Sequence, residues 1–320
     1  LFRMNPIAEF KGEFAAISAA LLWAVSSVVY SYLGQQISPM LLNLSKGVVA
    51  IALLLLTLFL RDFLLPALDS TAFIPALSHP FNTLNEFALP LFLLFLSGAI
   101  GISFGDTVFF AALNQLGARR TLLIQTLAPP LTALLAILFL REQLTLIAWG
   151  GMIITIIGVA WTIAERVSET DTPSAPLLPG VSLGLLAALA QAVGAVLSRA
   201  ALAQTAINPL WSTLIRLLAG VSLLFLWILW KQGRRVLSGL GSKRLVAIVL
   251  VTSFFSTYLG IWLQQISLKF SPAGIAQTLS ATSPVFVLPI AIALGEFVSI
   301  RAILGAVLSL FGIALLFLWR

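Results

Sequence analysis

Three ionisable residues stand inside long apolar runs: Lys46, Asp106 and Arg216. At the centre of a hydrocarbon layer each charge costs at least ~2.5–3.5 kcal/mol on insertion scales, so each must face a polar space, a substrate or an opposite charge. The chemistry that fits is reversible: binding and releasing a polar molecule, or making and breaking ion pairs as helices move. Catalysis finds no set of residues. The chain has no cysteine and one histidine, His79, so a thiol nucleophile, a zinc site and a His-dependent triad lack their groups. His79 is read as a solvated or interfacial residue. No GxxxxGK[ST] motif supports direct ATP drive, because Gly239-Leu240-Gly241-Ser242-Lys243 has the wrong spacing. No catalytic residue, metal or cofactor is expected.

Uncharged polar residues add a second set. Gln125, Gln191, Gln264, Gln265 and Gln277 stand mid-run, and Trp23 can form part of an aromatic wall beside them. Gln125 and Gln277 precede Pro129 and Pro284 by a few residues. A proline leaves a carbonyl without its helical donor, so substrate binding and interhelical hydrogen bonding are both open for these glutamines. Glu142 and Glu296 fall in short turns before apolar helices and can serve as helix caps or gate carboxylates.

Positioning such residues takes a particular frame. The chain of 320 residues is 60% hydrophobic and 9% charged, a balance with too little polar surface for a soluble globule. The apolar runs are continuous rather than alternating, so each reads as a helix of about 20 residues crossing the membrane. They fall at 14–33, 40–60, 89–113, 119–140, 146–164, 180–202, 209–230, 244–264, 273–294 and 300–319. The net charge of +7 sits largely at the borders of these runs, which points to lipid headgroups rather than nucleic acid. The first span is expected to act as the insertion signal. Phe63 to Phe87, with Pro66, Pro75 and Pro80, reads as an interfacial loop or as a lid.

The chain repeats itself. Ala118 and Pro129 match Ala273 and Pro284 at one offset, and Glu142, Gly151 and Gly158 match Glu296, Gly305 and Gly312 at the next. Ile37-Ser38-Pro39 answers Ile207-Asn208-Pro209, and Lys46 answers Arg216. The expected organisation is a first five-helix repeat over 1–164, a linker over 165–179 and a second repeat over 180–320. Five is odd, so the second repeat must cross the membrane inverted. The expected fold is an all-α membrane protein of ten transmembrane helices in two inverted five-helix repeats, a recurrent plan of secondary transporters. Lys46 and Arg216 each lie some 10 Å into a helix, near opposite faces. They are read as gate residues, Lys46 with Asp106 or Glu296 and Arg216 with Glu142, or else as snorkelling or static ion-paired side chains.

Two five-helix repeats, Leu22-Trp23-Ala24 in the first span, a basic residue inside the second, and Pro-then-Glu followed by spaced glycines over the last two spans resemble the EamA type of the drug/metabolite transporter superfamily. The resemblance covers nearly the whole chain, and the doubled fourth and fifth spans are its most specific part. It implies ten helices, cytoplasmic termini, a central cavity and alternating access for amino acids, other metabolites or drugs. The chain departs from the family where Ala24 and Gln191 stand in place of its usual Gly and Trp, and where Lys46 replaces Arg.

Together these readings predict a transporter rather than an enzyme, exporting a small metabolite or amino-acid-like compound across a cell inner or plasma membrane. An organic-cation or sugar-phosphate carrier and a non-transporting scaffold or sensor are the alternatives. Small-residue faces at Gly151/Gly158 and Gly305/Gly312 favour helix packing and also admit a homodimer. Lys and Arg divide almost evenly between the two sides, so loop charge does not fix the orientation.

Overall fold

The computed structural model describes residues 10–33, 36–64, 84–165, 177–203, 205–231, 242–293 and 298–318. Glu296, His79 and most of the expected linker lie outside these residues. Every regular element among them is helical. The α-helices are α1 (Lys11–Leu33), α2 (Pro39–Phe59), α3 (Leu84–Ser97), α4 (Asp106–Gln125), α5 (Ala128–Leu140), α6 (Leu146–Glu165), α7 (Leu177–Leu202), α8 (Pro209–Lys231), α9 (Lys243–Ser253), α10 (Gly260–Phe270), α11 (Ala273–Ser280), α12 (Ser283–Ala293) and α13 (Ile300–Leu316). Eight stretches among the described residues are long and apolar enough to cross a membrane, and α13 is a shorter apolar helix.

The matched Ser38-Pro39 and Asn208-Pro209 pairs have a plain physical role. Ser38 Oγ accepts from Leu41 N and Asn208 Oδ1 accepts from Leu210 N, each with proline in the first turn, where its missing N–H leaves no donor unpaired. These caps start α2 and α8 at set points and so fix how deep Lys46 and Arg216 sit. The matched prolines do something different. Helical bonding stops at Thr126-Leu127 ahead of Pro129-Pro130 and at Ala281-Thr282 ahead of Pro284. The hydroxyls of Thr126 and Thr282 turn back onto the carbonyls of Leu123 and Leu279, at 2.7 and 2.6 Å. The fourth and ninth expected spans are thus broken helices. The interruption expected near 114–118 is absent, because α4 continues from Asp106 to Gln125.

Three further irregularities leave no mark in the residue pattern. The chain is π-helical over Leu60–Leu64 after α2, over Gly98–Gly105 between α3 and α4, and over Phe254–Leu259 between α9 and α10. The wider turn of a π-helix leaves the backbone open to side chains from elsewhere, and such turns often mark functional places.

Packing joins the two parts of the chain. The most extensive contacts pair α6 with α13, α4 with α7, α1 with α10, and α8 with the Gly98–Gly105 segment. Each contact brings an element before residue 165 against one after 177, so the core is the seam between the parts. The side-chain distribution is the reverse of a soluble protein's. Leu138, Phe139, Trp230 and Ile300 are each more than 70% exposed, whereas Thr155, Thr162, Ser212, Gln265 and Thr278 are buried.

The α6–α13 seam is built from the matched glycines. A methyl group at Gly158 would come 2.4 Å from Ser309 N and 2.6 Å from Gly305 O, and one at Gly312 would come 2.5 Å from Thr155 N. Backbone meets backbone there, the close approach that small residues permit between membrane helices. A homodimer through these glycines would need the same faces twice. Gly158→Ala is expected to force the helices apart and destabilise the protein by about 1–3 kcal/mol. Gly150→Ala, one turn position from Gly151 with nothing within 4 Å of the added methyl, is expected to be neutral or to gain up to ~1 kcal/mol from helix propensity. Thermal unfolding of the two variants in detergent, followed by size-exclusion chromatography, checks the contrast.

Candidate functional site

Interior polar groups gather around the π-helical segments Gly98–Gly105 and Phe254–Leu259. Asn43 on α2 donates from Nδ2 to Ile102 O in the first segment at 3.0 Å, and Trp23 on α1 donates from Nε1 to Ser256 O in the second at 2.8 Å. Carbonyls opened by the π turns thus receive side-chain donors from other helices, as buried backbone groups require. Gly260 leaves room for the indole, because a methyl group there would come 2.5 Å from Trp23 Nε1. The hydroxyl of Tyr30 hydrogen-bonds with Ser256 Oγ, which lies 3.1 Å from Thr257 Oγ1.

Next to this network, Lys46 Nζ donates to Asp106 Oδ2 at 2.7 Å. The side chains are 10% and 27% exposed, so the pair is held largely away from solvent. Burial makes each partner depend on the other, since a lone charge left behind keeps its full desolvation cost. Lys46 Nζ also lies 5.0 Å from the centre of the Phe110 ring. The π segment ends at Gly105, so Asp106 opens α4 where its carboxylate meets α2.

Arg216 on α8 packs against Gly98 and Gly101 of the same segment. It is 5% exposed, and its Nε and Nη1 are buried without a hydrogen-bond partner among the described residues. Asp106 acts on it electrostatically but is already bonded to Lys46. The expected partnership of Arg216 with Glu142 is not formed.

Glu142 is engaged by Arg199 instead. Arg199 Nε donates to Glu142 Oε1 at 2.6 Å, and the backbone N–H of Ala273 donates to Glu142 Oε2 at 2.9 Å. Arg199 Nη1 donates to the carbonyls of Leu268 and Lys269 at 3.0 and 2.8 Å. The pair therefore caps two helices at once, Arg199 at the C-terminal end of α10 and Glu142 at the N-terminus of α11, each with the sign that the helix dipole favours. Arg141 at φ 54° closes α5 and turns the chain so that Glu142 can reach across. Lys269 Nζ donates to Thr205 O and Ile207 O, and Lys11 Nζ lies 3.5 Å from the centre of the Phe270 ring. These residues sit where α1, α8 and α11 begin and α7 and α10 end. They form a latch across one end of the bundle.

The glutamines divide. Gln264 Nε2 and Gln277 Oε1 are 3.5 Å apart and both are buried; Gln265 Oε1 accepts from Ser212 Oγ at 3.2 Å. Gln125 is half-buried beside the Thr126 break, and Gln191 is half-buried on α7. Trp211, near the start of α8, is 44% exposed. Sequence reasoning missed Tyr30, Asn43, Ser256 and Arg199. Ser253, Ser256 and Thr257 together in one apolar run were the available signal for a polar interior at that level.

No curated protein matches the chain. Among solved structures 29 chains match. One of them, titled "Crystal structure of protein", is similar with a TM-score of 0.74 at 17% identity, covering 96% of this chain and 96% of that one. That likeness concerns the fold alone. The model of the EamA-like transporter family matches residues 10–164 and again 178–318. Two matches end to end over an all-helical chain of membrane-spanning length make this a multi-pass membrane transporter of the drug/metabolite transporter superfamily, and the chain belongs to the EamA-like transporter family.

Proposed function

We propose that the protein is a secondary transporter of ten transmembrane helices, with α1 and α13 as the first and last spans, arranged as two inverted five-helix repeats over 1–164 and 180–320. It carries a small metabolite or amino-acid-like compound outward by alternating access, with both termini cytoplasmic in a cell inner or plasma membrane. The observation that carries this reading is the latch across one end of an interior that, among the described residues, holds paired and unpaired charges. With Glu142 bonded to Arg199 and to Ala273 N, that end is drawn together, and the polar groups around Gly98–Gly105 lie beyond it. Alternating access needs contacts that form at one mouth while those at the other break, and an ion pair that joins separate helix termini is a contact of that kind. Trp23, Lys46, Asp106 and Arg216 are the proposed substrate or gating residues, supported by their place around Gly98–Gly105 and Phe254–Leu259. Gln125, Gln191, Gln264 and Gln277 are proposed as accessory polar contacts, and Glu142 and Glu296 as carboxylates of the two mouths.

Counterflow in proteoliposomes tests this. Labelled amino acids, nucleosides, sugar phosphates and organic cations are offered to vesicles preloaded with the same compound, with Lys46→Ala and Arg216→Ala alongside. Saturable exchange of one class, lost in both variants, is the expected result. No exchange of any class by protein shown to be folded would favour a scaffold or sensor.

A further inference from the structure

Among the described residues, Lys46, Asp106 and Arg216 are the charged residues grouped at Gly98–Gly105, and their charges sum to one positive: two cations against one carboxylate. Lys46 has taken the carboxylate at 2.7 Å, while two of the three guanidinium nitrogens of Arg216 have no acceptor among the described residues. An arginine cannot shed its proton to relieve this, and a buried donor without a partner keeps its desolvation cost. The guanidinium faces Gly101, where an added methyl would sit 3.4 Å from Nη2 and 3.8 Å from Gly194 Cα, so glycines rather than side chains bound it on that side. Backbone without side chains is what permits a ligand to come close.

We propose that Arg216 is the receptor for a single negative charge on the transported molecule, a carboxylate, and that the substrates are monoanionic carboxylic acids. This rests on the transport reading above and narrows it. One carboxylate neutralises the surplus charge and supplies acceptors to the orphaned N–H groups; charge-assisted bonds of this kind are the strong ones. A phosphate monoester near two negative charges overshoots the balance, and an organic cation adds to the surplus. A zwitterion leaves the surplus in place unless its ammonium displaces Lys46 from Asp106. Lys46–Asp106 then serves as a neutral wall rather than as a second anion site.

Benzoate and its neutral near-isostere benzamide separate the possibilities. Wild-type protein is expected to exchange labelled benzoate in counterflow, with unlabelled benzoate competing and benzamide not. Arg216→Gln is expected to lower that exchange at least roughly 10-fold, and Arg216→Lys by less, since the charge remains but the planar fork is lost. Equal competition by benzamide, or full exchange in Arg216→Gln, overturns the proposal and leaves transport standing. Where Arg216→Gln does not fold, the benzoate–benzamide competition in wild type decides alone. Where wild type exchanges nothing, the transport reading fails, and thermal stabilisation decides the site: benzoate raising the melting temperature of wild type while benzamide and chloride do not supports it, and no such shift refutes it.

Discussion

Asp106→Asn is expected to be among the most damaging single changes in the protein, lowering stability by about 3–5 kcal/mol. The reason is Lys46 rather than Asp106. Its ammonium is 2.7 Å from the carboxylate and its side chain is 10% exposed, so asparagine leaves a cation inside the bundle without its counter-charge. Asn43, one turn earlier on α2, donates from Nδ2 to Ile102 O and Thr107 Oγ1, and its neutral amide oxygen carries no counter-charge to replace the carboxylate. Removing both charges, as Lys46→Met with Asp106→Leu, is expected to restore much of the loss, since no buried ion remains. The non-additivity between single and double variants is the signature of direct coupling. Heating purified protein and measuring the monodisperse fraction gives an operational stability, and Asp106→Asn is expected to melt roughly 5–10 °C lower. A melting temperature equal to wild type would mean that Lys46 does not depend on this carboxylate.

Gly98→Ala is expected to be comparably severe by another route. Its methyl group would lie 2.1 Å from Arg216 O and 2.8 Å from Arg216 C and Cα. Both sides of that contact are backbone, so no rotamer change absorbs it, and α8 must move away as a body. Overpacking typically costs 1–3 kcal/mol, and a clash between two main chains belongs at or above the top of that range, about 3 kcal/mol. The displacement also carries Arg216 away from Gly101, so transport should fall even in the fraction that folds. Gly101→Ala, one turn away on the same segment, is the control. Its nearest neighbour would be 3.4 Å off, an ordinary contact, and its stability should stay within about 1 kcal/mol of wild type. Similar losses in both variants would show that the segment tolerates no side chain for reasons unrelated to α8.

Much of this arrangement was legible in the residue pattern, and particular residues show where legibility ends. Lys46 and Asp106 announce themselves because a charge in an apolar run needs a partner, and the two are within a hydrogen bond. Pro129 and Pro284 announce breaks because proline lacks an N–H, and the helices stop just before them. The π segments left no such mark. One extra residue in a turn changes no hydropathy, and Gly98, Gly101 and Gly105 read equally well as a packing stripe. The partner of Glu142 was misassigned for a related reason. Arg216 was chosen because it stands deep in a run, whereas Arg199 lies in the last turn of its helix and looked like an ordinary border charge. Its role depends on where the ends of α10 and α11 come to rest, a tertiary fact that spacing along one helix does not contain. Glu296, the carboxylate proposed for the other mouth, lies outside the described residues.

The proposed transport cycle requires the Glu142–Arg199 latch to open at each turn. Because the natural chain has no cysteine, Glu142→Cys with Arg199→Cys places the only two thiols at the latch. A bifunctional thiol reagent with a reducible spacer then puts a covalent bridge where the ion pair was. Counterflow is expected to stop when the bridge is closed and to return when it is reduced, while each single-cysteine variant treated in the same way continues to exchange. Exchange that proceeds undiminished through the bridged protein would contradict the claim.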